Sequence, residues 1–141
     1  MEGPVRIAVT SRSLFDGGAE TLHFAGTGTL RPTAAGWDLL YTAACRENGA
    51  ALSSRIRLTA EPRRAILWTL GPEGYGLPLD PEHETQARLP LGLTVAVRTR
   101  AVEFFLKEPD RGYIHLAYTL LDRGLPLSRM QLEIRMTKET I

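Results

Sequence analysis

Cysteine is nearly absent from the sequence: Cys45 is the only one in 141 residues. That excludes an intrachain disulfide and any metal site built on several cysteines. Lysine is almost as scarce, with Lys107 and Lys138 against fifteen arginines, and neither belongs to a Gly-Lys-Ser/Thr phosphate loop. No apolar run approaches the ~18 residues of a membrane-spanning helix, so no membrane partner is expected. The start, Met1-Glu2-Gly3-Pro4-Val5-Arg6, lacks the basic and apolar regions of a secretion signal, which predicts a cytoplasmic protein. Charge of one sign is missing too: seventeen basic and sixteen acidic residues leave +1, which argues against a dedicated polyanion binder. Hydrophobic residues at 43% are nevertheless enough for a core, and the length suits one domain, residues 1–141.

Helical spacing is the other thing the chain lacks. Turn residues cut it into short pieces whose apolar positions alternate, the period of a half-buried strand. Val5, Ile7 and Val9 alternate with Arg6 and Ala8, and Asp16-Gly17-Gly18 turns the chain into Leu22 and Phe24. Trp37, Leu39 and Tyr41 open a third strand that stops at Asn48-Gly49, a dipeptide suited to a type I′ hairpin. Ile56 and Leu58 face one way in the fourth, Arg55 and Arg57 the other. Residues 65–70 form a fifth, 71–81 read as a long loop rich in glycine and proline, and 82–89 form a sixth.

From Leu93 the apolar positions are odd (Val95, Val97, Thr99), and then even (Val102, Phe104, Leu106). A strand keeps one face buried through such a phase change only with an extra residue, so a bulge is predicted near Thr99-Arg100-Ala101. Two further strands, about 113–121 and 130–136, flank a turn at Asp122-Arg123-Gly124. The sequence thus predicts an all-β fold: a single antiparallel up-and-down barrel of eight or nine strands, with a two-sheet sandwich as the alternative.

Several short motifs in this order resemble the YwiB-like family of small bacterial proteins. They are Gly26-Thr27-Gly28-Thr29, the strand from Trp37 to Tyr41 leading through Asn48-Gly49 into Arg55-Ile56-Arg57-Leu58, and Pro90-Leu91-Gly92 followed by Val97-Arg98-Thr99. The strand Gly112-Tyr113-Ile114-His115-Leu116-Ala117-Tyr118 completes the set. Leu91 stands where the family tends to carry an aromatic residue. The resemblance implies a calycin-like (lipocalin-like) barrel and supplies no activity.

No motif for catalysis emerges. His23, His83 and His115 fall in three separate predicted strands without metal-ligand spacing, so no metal or cofactor is expected. Cys45 ends an apolar strand, where a small buried side chain is the common role. No serine occupies a Gly-x-Ser-x-Gly elbow, and Gly26-x-Gly28 in a strand marks a bend or close backbone contact. Arg55 and Arg57 share one face, as do Arg98 and Arg100, and would form a basic stripe if their strands adjoined. The intervening apolar residues are aliphatic rather than stacking aromatics, which argues against nucleic acid.

Trp37, Tyr41, Trp68 and Tyr118 remain, each an apolar body with a polar tip, and closure of a sheet would be needed to gather them. They are the candidate lining of a site for a small, partly apolar ligand, in a protein that is not an enzyme. The alternative is a filled barrel serving as a protein-interaction or structural module, such as a homodimer. A cavity of ~300 Å³ or more favours the first.

Overall fold

A computed structural model describes residues 1–139. Ten strands form one sheet: β1 (Gly3–Phe15), β2 (Gly18–Pro32), β3 (Gly36–Cys45), β4 (Ala51–Thr59) and β5 (Arg64–Thr69) lead to β6 (Tyr75–Leu79). Then come β7 (Thr85–Arg88), β8 (Thr94–Phe105), β9 (Arg111–Asp122) and β10 (Leu125–Lys138). Every neighbouring pair is antiparallel, and β1 pairs with β10, so the spatial order runs from β6 back through β1 to β10 and on to β7. The result is a nearly closed meander. Its seam lies between β6 and β7, where the Thr85 hydroxyl donates to the Pro78 carbonyl. Proline has no N–H to offer the opposite strand, which fits its place at that seam.

The strand count is ten rather than eight or nine because 71–81 is not all loop: β6 occupies Tyr75–Leu79. Its glycine and its proline read as breakers, yet each has a local reason. A Cβ on Gly76 would lie 2.9 Å from the Trp68 indole, so only glycine lets β6 run beneath that ring. The Asn48-Gly49 turn also differs from expectation. Gly49 alone has positive φ, and a longer loop is closed by Gly49 N–H to Cys45 O and Cys45 N–H to Ala50 O. The type I′ pattern, positive φ at two successive residues, occurs instead at Arg123-Gly124.

The phase change in β8 is realised as the sequence predicts. The β8–β9 register shifts between Thr99 and Ala101, and Val95, Val97, Thr99, Val102 and Phe104 all point inward and are buried. Curvature has a second source in β2. A Cβ on Gly26 would fall 1.9 Å from the Thr42 carbonyl oxygen, and one on Gly28 2.5 Å from that of Leu40. Both strands therefore approach closer than any side chain allows. Inside, Val5, Leu30, Leu39, Ile56, Ile114 and Ile134 are wholly buried in a continuous apolar core. No helix of the described residues is long and apolar enough to cross a membrane.

Candidate functional site

The four aromatic candidates do not share one space. Tyr41 and Tyr118 do point inward and are buried, and burial pushes both hydroxyls above the ordinary tyrosine range. Tyr75, partly buried, packs against the same apolar core. Thr99, the cross-strand partner of Tyr118, adds a buried hydroxyl without a hydrogen-bond partner among the described residues. Trp68 is on the other side of the wall. Leu67 takes the inward position of β5, so the next residue faces out, where Arg55 and Arg57 lie 5.3 and 5.5 Å from its ring. Trp37 is half-buried at the far end of β3 from Cys45, at the barrel's rim.

The polar candidates are absorbed by local pairs. Arg55 makes a two-pronged pair with Asp38 at 3.0 and 2.8 Å, and this holds the Asp38 carboxyl below its usual range against the opposing effect of burial. Because β4 and β8 are not neighbours, Arg55 and Arg57 are not continued by Arg98 and Arg100, and the single basic stripe does not form. His23 and His115 meet Glu47 and Glu103. His83 lies in the turn after β6 rather than in a strand, beside Asp80. Asp80, Glu82 and His83 are the one group with metal-ligand proximity among the described residues. Asp80 is already engaged there by the Glu82 N–H, His83 and Arg64. Cys45 is buried and its thiol donates to Glu47 at 3.6 Å.

A well-formed concavity lies elsewhere. A groove of about 840 Å³ opens at the rim where β3 and β9 begin and where β8 and β10 end, bounded across the opening by the β4–β5 turn. Its floor is the inward set Phe104, Leu106 and Met136, each buried. Gly112 lets that floor close: a Cβ there would stand 2.8 Å from Leu106 Cδ2 and 3.2 Å from Met1 Sδ. The Met1 ammonium donates to the Leu106 carbonyl at 3.0 Å, fixing Met1 beside that floor. Trp37 forms one wall.

Because residues alternate, the same strand ends also send Phe105, Tyr113 and Arg135 over the outer lip. Phe105 and Tyr113 stack with centroids 6.4 Å apart, and Phe105 remains 64% exposed. Burial, as the leading cause, raises the Tyr113 hydroxyl above its ordinary value. Cations ring this apolar surface: Arg63 lies 4.8 Å over the Phe104 ring, and Lys107, Arg111 and Arg135 stand around it. Of the sequence-chosen residues only Trp37 belongs to the groove. One signal for the others was present. Phe104 and Phe105 are adjacent in an alternating strand, so one of two phenylalanines had to face outward.

No family model matches the sequence, and no curated protein matches it. Among solved structures, DynF from the dynemicin biosynthesis pathway of Micromonospora chersina is 16% identical over 99% of this chain and 81% of its own. Its TM-score is 0.41. The ywiB protein from Bacillus subtilis is 19% identical, with 99% of this chain and 94% of that chain covered at a TM-score of 0.77. The chain thus shares the fold of ywiB, which here is a ten-stranded, nearly closed antiparallel barrel.

Proposed function

We propose that this barrel is a non-catalytic binding module for a small, partly apolar ligand, and that the ligand sits in the rim groove rather than inside the barrel. The groove's size carries the reading: about 840 Å³ lies within the roughly 300–1,000 Å³ usual for small-molecule sites. Its lining supports it. Trp37, Phe104, Leu106 and Met136 offer a broad apolar surface, with Arg63 over the Phe104 ring and the other charged groups around it. The guanidinium and ammonium groups of Arg63, Lys107 and Arg135 offer several donors that could hold a ligand there.

A second reading has its own observation. An exposed Phe105 stacked on Tyr113 is also what a protein interface uses as an anchor, so a homodimer or another protein partner could cover the same lip. Titration with phenylnaphthylamine, an uncharged fluorescent probe, separates the two. The ligand reading expects saturable one-to-one binding, weakened roughly tenfold by Trp37→Ala and unaltered by Trp68→Ala. Absence of saturable binding in a folded protein, with concentration-dependent dimers in sedimentation, would replace it by the interface reading.

A further inference from the structure

We infer that the groove selects an amphipathic anion: an apolar or aromatic body carrying one acidic head group. This rests on the ligand reading above and adds the chemistry of the ligand. Four cations line the groove, Arg63, Lys107, Arg111 and Arg135, against two carboxylates, Glu61 and Glu108. Of these only Arg111 and Glu108 form an ion pair with each other, at 2.6 Å. Arg63, Lys107 and Arg135 make none with the described carboxylates, so their donors are open to a ligand. The lining therefore carries two more cations than carboxylates, beside a broad apolar surface.

The layout assigns the parts. The floor of Phe104, Leu106 and Met136, with Trp37 as wall, takes the apolar body. Arg135 projects from the outer face of β10 beside Tyr113, and Lys107 lies two residues past the end of β8, so both cations stand at the lip. An acidic group held there stays partly in water while its body is desolvated. That division avoids the cost of burying a charge. A guanidinium and an ammonium together can take a carboxylate, a sulfonate or a phosphate monoester, the shared chemistry being a compact oxyanion.

The test compares two probes with the same aromatic body: anilinonaphthalene sulfonate, which is anionic, and phenylnaphthylamine, which is not. The anion should bind about tenfold or more tightly, and lose that advantage in Arg135→Gln/Lys107→Gln. Arg98→Gln, which removes an equal kind of charge beside Glu84 and away from the groove, should change neither probe. Decanoate should displace the anionic probe where decanol does not. Equal affinity for both probes, or an anion preference that survives the double variant, would overturn the anion inference while leaving the ligand reading intact. Failure of both probes to bind saturably would remove the ligand reading itself.

Discussion

Replacing Gly26 by alanine should be among the most damaging single-methyl additions in the molecule. The new Cβ would sit 1.9 Å from the Thr42 carbonyl oxygen and 2.6 Å from the Ala43 Cα, both backbone atoms that no rotamer change can move aside. Restoring ordinary contact requires β3 to retreat by roughly 1.5 Å. The register facing it is Ala25↔Ala44, Gly26↔Ala43, Thr27↔Thr42, so the retreat loosens ladder hydrogen bonds on both sides. One or two such bonds at about 1 kcal/mol each, with about 1–3 kcal/mol for overpacking, give a loss of about 2–5 kcal/mol. Set against a typical domain stability of about 5–15 kcal/mol, the variant should fold poorly or only under the mildest conditions. In urea, with a slope near 2 kcal/mol per M, the midpoint should fall by roughly 1–2.5 M. Ala25→Ser, one residue away on the exposed face, should stay within about 0.5 kcal/mol. A Gly26→Ala protein within about 1 kcal/mol of the parent would refute the close β2–β3 approach on which the curvature argument rests.

Three further outcomes follow from particular contacts. Ile56→Asp puts a carboxylate at a wholly buried position and should abolish folding or cost several kcal/mol. Arg57→Ser loses only an exposed stacking contact with Trp68, about 0.5–1 kcal/mol; equal urea midpoints for the two would invert the faces of β4. Thr99→Val removes a buried hydroxyl that has no partner among the described residues, so thermal melts should show unchanged or slightly raised stability, by about 1 kcal/mol; a clear loss would mean that the hydroxyl is satisfied. Glu47 is held at about 2 rather than its ordinary 4.5, first by the His23 backbone N–H and then by the His23 ring. Its folded value is the lower one, so its stabilisation is complete above about pH 4.5 and fades as pH falls towards 2. The gap in melting temperature between parent and Glu47→Gln should therefore shrink across that interval, and a gap that does not change with pH would count against the pairing.

Much of the fold was legible because alternation is a local signal. Strand β4 shows it at full strength, and the switch from odd to even positions around Thr99 located a bulge that the β8–β9 register bears out. Where alternation fails, so does the reading. Residues 65–70 are apolar almost without interruption, which hides the face to which Trp68 belongs, and only the sheet shows Leu67 inside and Trp68 outside. Strand β6 was hidden because Gly76 and Pro78 answer to neighbours distant in sequence, the Trp68 ring and the β7 seam. The groove is less legible still. Trp37, Phe104, Tyr113 and Met136 come from four strands, and the shape between them exists only once β1 has paired with β10.

The two tryptophans make the central claim directly measurable. Each contributes one indole N–H signal to a proton–nitrogen correlation spectrum; Trp37 lines the groove and Trp68 lies outside it among arginines. Titrating anilinonaphthalene sulfonate into the folded protein should shift the Trp37 indole signal to saturation, together with the Gly112 and Tyr113 amides, and leave the Trp68 signal in place. Movement of Trp68 with Trp37 unchanged, or of neither while the dye binds, would contradict a ligand site at the rim of this barrel.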